Sequence, residues 1–458
     1  MNARAAVTGA RMGAPAGLIL KDLRSLLRLA GPVVLARLGV MAMGVTDTVV
    51  VGRYSAVQLG YHALGWAPTA VVLTVALSLL TGVQVMTSRA IGEGRRHAAG
   101  AVLRRGLVYA AWIGMASTGI LVAFGPWFLH AVGISKPLAD GASRVLIVFA
   151  LSMTPLALAT AAGQWLEALG KPISAMTLMW GANLVNLAID LVLVPGRFGL
   201  PALGAIGGAC ATFGSRTALM LALLVYIATM REARALGVFA KPPRDRAAAI
   251  EQRRIGYGAG ASGFFEVASF AGMNIIAGWI GAQALAGYTG VMNVASVVFM
   301  VPLGLSTATG VLVGRAYGAR DRAGVNRAGA VGFAVTAAFG LVVSLAIWPS
   351  ARLVAGVYTT DPRVLAMGTA AVGLSCLFFL PDALQVVVAQ SLRARGDVWI
   401  PSCTHFVSYI LLMSPLAWAL AIPLGYGLNG IVASIVVASF ISAGLLLGRF
   451  WMLAARRA

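Results

Sequence analysis

Twelve long apolar runs, each about 20 residues and set off by short polar segments, constrain this chain more than anything else in it. They start near residues 30, 63, 106, 143, 172 and 204, then near 256, 286, 329, 364, 399 and 428. A helix needs about 20 apolar residues to cross the hydrocarbon core of a bilayer. Hydrophobic residues make up 59% of the 458 and charged residues 11%, against about 25% charge in a soluble domain. No soluble fold hides that much apolar surface. The expected fold is all-α and membrane-embedded, with about twelve transmembrane helices.

The net charge of +21 would suit a nucleic-acid binder if the bases formed a patch. They do not. With the N-terminus inside, 27 of the 35 Lys and Arg fall on inside segments, and six (Arg53, Lys136, Arg144, Arg197, Arg352, Arg363) fall on outside loops. Arg37 and Arg216 lie within helices. Basic loops stay in the cytoplasm, so both termini are expected there, with the lipid bilayer rather than nucleic acid as partner. The N-terminal region is basic and ends in an amphipathic stretch, Leu18 to Leu29. Cys210, Cys376 and Cys403 are odd in number and have no motif spacing, so no disulfide framework is implied.

The two halves align without a gap at an offset of 226: Gly52 with Gly278, Pro155 with Pro381, and Gly204 with Gly430. Arg89-Ala90-x-Gly92 recurs as Arg315-Ala316-x-Gly318, and Gln164-x-Leu166-x-Ala168-x-Gly170 as Gln390-x-Leu392-x-Ala394-x-Gly396. Six helices is an even number, so the halves enter the membrane in one orientation. They form two six-helix lobes related by a pseudo-two-fold along the membrane normal. The expected division is a tail at 1–29, an N-lobe at 30–230, a linker at 231–255 containing Lys241-Pro242-Pro243, a C-lobe at 256–451 and a tail at 452–458.

Four of the fourteen acids sit inside apolar runs: Asp47 in helix 1, Asp190 in helix 5, Glu266 in helix 7 and Asp382 in helix 10. A charge at the bilayer centre costs about 2.5–3.5 kcal/mol on insertion scales and usually faces a cavity. Asn183, Asn186 and Asp190 are spaced i, i+3, i+7 and share one face. That stripe suits a proton or small cation; the alternative is interhelical hydrogen bonding that only holds the bundle. Asp47 follows Met43 by one turn, and its alternative is a helix-end acid. Arg37 is too far along the same helix to pair with it, and is expected to snorkel inward. Glu266 shares a face with Ser262 and Ser269, its structural alternative being a pair with Arg216. Asp382 follows Pro381, which frees a carbonyl in a broken helix, with Gln385 on its face. Met43, Met273 and Met292 lie near the acids and suit a cavity for greasy ligands.

Other chemistry leaves no trace. There is no P-loop or HExxH pair, and His62, His97, His130 and His405 are scattered. Gly256-x-Gly258-x-Gly260 has the wrong spacing for a dinucleotide site. Neither an enzyme nor a cofactor is expected, beyond a coupling ion.

At Met43-Gly44-Val45-Thr46-Asp47-Thr48, Phe264-Phe265-Glu266-Val267 and Asp382-Ala383-Leu384-Gln385-Val386-Val387, with Leu392-Arg393-x-x-Gly396-Asp397, the chain resembles the multidrug and toxic compound extrusion family. It is most similar to the NorM-like branch, from about Ala30 to Arg449. The resemblance implies a V of two lobes, acting as a monomer and exchanging small organic cations for sodium ion or proton. It assigns Asp47, Asn186 and Asp190 to an N-lobe cation site. Glu266 and Asp382 fall to a C-lobe site able to take sodium. Met43, Asn183, Met273, Met292, Phe378 and Gln385, with Asp47, are the substrate-lining candidates. Two positions depart from the branch: Phe378 stands where a tyrosine is common, and Asp190 where asparagine is common. A lipid or lipid-linked oligosaccharide flippase of the wider superfamily is the alternative. Its anionic ligands favour basic cavities, and only Arg37 and Arg216 oppose four acids here.

Overall fold

The computed structural model describes residues 16–240, 245–358 and 361–455. Lys241-Pro242-Pro243 lies outside them. Among the described residues there are twelve helices long and apolar enough to cross a membrane, and no strand. They are α1 (Gly17–Tyr54), α2 (Ala56–Gly92), α3 (Arg96–Ala131), α4 (Lys136–Leu169), α5 (Pro172–Leu193) and α6 (Ala205–Thr229). The second half repeats them as α7 (Arg246–Ile280), α8 (Ala282–Gly318), α9 (Arg322–Ile347), α10 (Pro362–Ala394), α11 (Trp399–Ala421) and α12 (Gly427–Ala455).

Several helices run past their apolar window into the basic flank. Leu18–Leu29 forms the first turns of α1, with Leu26 and Leu29 buried and Asp22 paired with Arg327 of α9. Short polar side chains start the helices after the loops: Ser55 caps α2, Asp245 caps α7, Asp321 caps α9 and Asp361 caps α10, each accepting an otherwise orphaned backbone N–H. Large apolar side chains such as Trp112, Phe124, Trp127, Leu184, Val225 and Leu345 point outward. In lipid that is their favourable setting.

Three spans are interrupted. α2 breaks at Leu80 and α4 at Ser152. α11 widens into a π-helix over Phe406–Met413. Each break lies beside polar residues described below.

The lobes meet at the end that carries the basic loops. Arg89 of α2 donates from Nε to the Ala394 carbonyl (2.9 Å) and from Nη2 to the Arg393 carbonyl (3.0 Å), and pairs with Glu251 (3.4 Å). Arg315 of α8 donates to the Ala168 carbonyl at 2.8 Å. Arg89 and Arg315 are repeat mates, as are Ala168 and Ala394, so one contact is made twice across the pseudo-two-fold. The glycines of the same motif explain its conservation of spacing within the chain. A Cβ on Gly92 would collide with the Arg315 backbone, and one on Gly318 with the Arg89 backbone. Gln84 joins this base by donating to the Thr307 carbonyl (3.1 Å) and accepting from Gln390 (3.0 Å). The side-chain hydrogen bonds between lobes, among the described residues, gather here.

Candidate functional site: two carboxylate pairs

In the N-lobe, Asp47 of α1 and Asp190 of α5 lie within electrostatic reach of each other. Both are buried. Asp47 accepts a 2.5 Å hydrogen bond from Thr212 Oγ1 of α6, and His62 Nε2 of α2 lies 4.0 Å from its Oδ2. The Asp190 oxygens and the Asn186 amide, both without exposed surface, have no hydrogen-bond partner. Asn183 lies a turn nearer the base and donates to the Met179 carbonyl (3.0 Å), with its Oδ1 unpaired. Arg216 of α6 lies within electrostatic reach of Asp47. It donates to Ser152 Oγ at the α4 break (2.6 Å) and stacks over Trp66, 5.7 Å from its centroid. Two facing carboxylates repel strongly in a low-dielectric interior. Neutralising either one relieves that repulsion.

In the C-lobe, Glu266 of α7 lies within electrostatic reach of Asp382 of α10 and of the Arg393 cation. Arg393 sits buried in the last turn of α10, not in a loop, and donates to Ser262 Oγ at 2.7 Å. A Glu266–Arg216 pair does not form, because Arg216 is engaged inside the other lobe. Asp382 faces Gln385 and, from α11, Tyr409.

The substrate-lining candidates lie close to these pairs but mostly as packing. Met43 is buried, its sulfur 3.5 Å from Ser215 Oγ. Met273 and Phe378 are buried in the C-lobe apolar cluster, and Met292 packs at its edge. Phe378 stacks on Phe379 with centroids 5.0 Å apart. Gln385 has no exposed surface and lies beside Asp382. The predicted site residues thus gather into two clusters, one per lobe. No hydrogen bond or ion pair joins the clusters among the described residues.

Arg37 does not simply snorkel. It pairs across to Glu167 of α4 at 3.4 Å. Sequence reasoning missed Glu167 as a buried acid because it lies in the last turn of its helix. It also missed Thr212 and Tyr409, and assigned His62 and Arg393 no part in the site. The repeat held one usable signal: Tyr409 stands 226 residues after Asn183.

Comparison with known proteins agrees with this architecture. The family model MatE matches twice, at residues 32–192 and 259–419, once in each lobe. This chain belongs to the MatE family. A probable multidrug resistance protein NorM of Caulobacter vibrioides is 59% identical, over 96% of this chain and 93% of that protein. The multidrug resistance protein PmpM of Pseudomonas aeruginosa is 30% identical over 90% of this chain and 85% of its own length. The fold superposes on the crystal structure of the eukaryotic MATE transporter AtDTX14 with a TM-score of 0.86 at 18% identity, covering 95% and 96% of the two chains. An outward-facing multidrug resistance MATE transporter of the MOP superfamily gives the same TM-score at 18% identity, with 97% and 99% covered. The MatE membership accounts for the duplicated match, the twelve helices and the NorM-like character together.

Proposed function

We propose that this MatE protein is a secondary active multidrug exporter of a bacterial inner membrane. It exchanges small organic cations for sodium ion or proton, by rocking one lobe against the other. The observation that carries this reading is a pair of acids set inside each lobe, Asp47 with Asp190 both buried and Asp382 buried near a half-buried Glu266, beneath lobes clasped together at one end. The multidrug resistance names of relatives as similar as 59% point the same way.

With both termini in the cytoplasm, the arginine base closes the cytoplasmic side, and the carboxylate pairs are approached from outside. An entering cation settles between Asp47 and Asp190, with Asn186 supplying unpaired polar atoms, or between Glu266 and Asp382. Neutralising the pair weakens its hold on a cationic drug, which leaves. The base then parts, the ion is released inward, and the restored charge draws in the next drug. Drug and ion must favour the same states with opposite preference. One positive charge moving through 100 mV supplies about 2.3 kcal/mol. No cofactor other than the coupling ion takes part, and one chain contains both lobes and so works as a monomer.

The test is efflux of a preloaded cationic dye from cells lacking their own pumps, with wild type and Asp47→Asn at matched expression. Wild type should clear the dye and the variant should not. Export by Asp47→Asn at the wild-type rate removes the N-lobe acid from the mechanism. Failure of wild type to export dye turns the search to the flippase reading.

A further inference from the structure

The clasp between the lobes ends on two carbonyls of α10, Arg393 and Ala394, and on one of α4, Ala168. In each lobe the residue just before that alanine is charged, buried and bonded back into its own lobe. Arg393 precedes Ala394 and Glu167 precedes Ala168, at the repeat offset of 226. They are repeat mates of opposite charge. Glu167 of α4 pairs with Arg37 of α1 at 3.4 Å. Arg393 of α10 donates to Ser262 Oγ of α7 at 2.7 Å, and α7 is the repeat mate of α1. One junction is thus built twice with its polarity reversed. In the N-lobe an acid meets a base, and in the C-lobe a base meets the helix that carries an acid.

The two junctions differ in what balances the charge. In the N-lobe, Glu167 and Arg37 answer each other directly. In the C-lobe the serine is neutral and cannot balance a guanidinium. Ser262 donates on to Ser402 Oγ (3.3 Å), and Ser402 donates to the Gly258 carbonyl (2.6 Å), so that chain ends on dipoles alone. Arg393 Nε has no hydrogen-bond partner. One turn beyond Ser262, on the same face of α7, stands Glu266, the acid within electrostatic reach of Arg393. A buried guanidinium that loses its counter-charge is costly, and it gains by reaching water. Arg393 stands at the base itself, where its own carbonyl is held by Arg89. Parting of the base is therefore its way to water.

We propose that Arg393 is a positioning residue through which the charge on Glu266 bears on the lobe clasp. A charged Glu266 keeps the guanidinium seated against α7, and the seated residue presents its own carbonyl and that of Ala394 to Arg89. A neutral Glu266 leaves the guanidinium uncompensated and loosens the base. The N-lobe junction has its own ion pair and holds the Ala168 carbonyl throughout. One half of the clasp is thus fixed and the other half responds to an intramembrane acid. This role rests on the exchange reading above for the event that neutralises Glu266.

The experiment reads opening of the base at Ser88, which has no exposed surface and packs against Gly314. Full-length Ser88→Cys protein in inverted membrane vesicles is treated with a membrane-impermeant maleimide, and label at position 88 is counted by peptide mass spectrometry. Glu266→Gln, Arg393→Gln and the two together are compared in that background, with dye efflux run in parallel. Glu266→Gln alone should raise the labelling rate about tenfold, the size of one lost contact to a charged group. Added to Arg393→Gln, the same change should leave the rate where it was. Arg393→Lys keeps the charge and should keep the step. Arg393→Met serves the same comparison if the glutamine variant does not fold. A tenfold step that persists without the arginine overturns the proposal, because the two residues then act independently. So does the absence of any step when Arg393 is present. If the step is present with arginine and absent without it, yet no dye leaves the cells, the positioning role stands and the export reading falls.

Discussion

Among the individual residues, pairing across helices decides what each buried charge does. Glu167 is buried and Arg37 half-buried, with the pair at 3.4 Å. Removing one partner of a buried pair leaves the other uncompensated, at a cost of about 3–5 kcal/mol, and less where one side is wetter. Arg37→Met should therefore lower the unfolding temperature clearly. Arg37→Met combined with Glu167→Leu should recover most of the loss. Equal damage in the single and double variants, by thermal unfolding in detergent, contradicts the pairing. Nothing in the sequence hints at this pair: 130 residues separate its members, and Glu167 stands at an unmatched position of its repeat motif. Thr212 is equally illegible, a hydroxyl in an apolar run until α6 turns it toward Asp47. Thr212→Val should keep the fold and weaken export, because Asp47 loses its donor. Wild-type dye efflux in that variant at matched expression removes Thr212 from the site.

At the level of elements, breaks in helices supply the polar atoms that regular helices use up internally. α4 interrupts at Ser152, whose hydroxyl is the acceptor for Arg216. Ser152→Ala would leave that buried guanidinium short of a partner, costing about 1–3 kcal/mol. Ser152→Thr keeps the hydroxyl and should cost less. Unfolding measurements on the two variants check the order. Hydropathy reads α4 as one apolar span, since Ser152 is a single small polar residue within it. The π turn in α11 is hidden in the same way. Its residues, Phe-Val-Ser-Tyr-Ile-Leu-Leu-Met, fit an α-helix just as well by composition.

Across the whole molecule, the duplicated arginine base ties the lobes at one end and must part if the other end is to close. Gly314 stands so close to Ser88 that a Cβ there would lie 3.1 Å from the Ser88 Cβ. A disulfide needs about 3.5–4.5 Å between Cβ atoms, which a slight parting of α2 and α8 provides. Ser88→Cys with Gly314→Cys should therefore cross-link under oxidation and stop dye export, and a reductant should restore it. Continued export by fully cross-linked protein means that the base does not open during transport.

The sequence by itself determined the number of helices, the doubled plan and the four intramembrane acids. These follow from run length, a constant offset and the high cost of charge in hydrocarbon, all of which are local or periodic quantities. It also supplied Asn186, Asp190 and Gln385 as polar members of particular helix faces. Only the tertiary structure decided what those faces meet. It set Asp190 against Asp47 with His62 beside them, moved Arg216 away from Glu266 and put Arg393 in its place. It brought Tyr409 to Asp382. The physical reason is that a helix buried in lipid is apolar on nearly every side. Its rotation about its own axis is then set by close packing with neighbours, at glycines such as Gly92 and Gly318, and that packing is written in shape rather than in hydropathy.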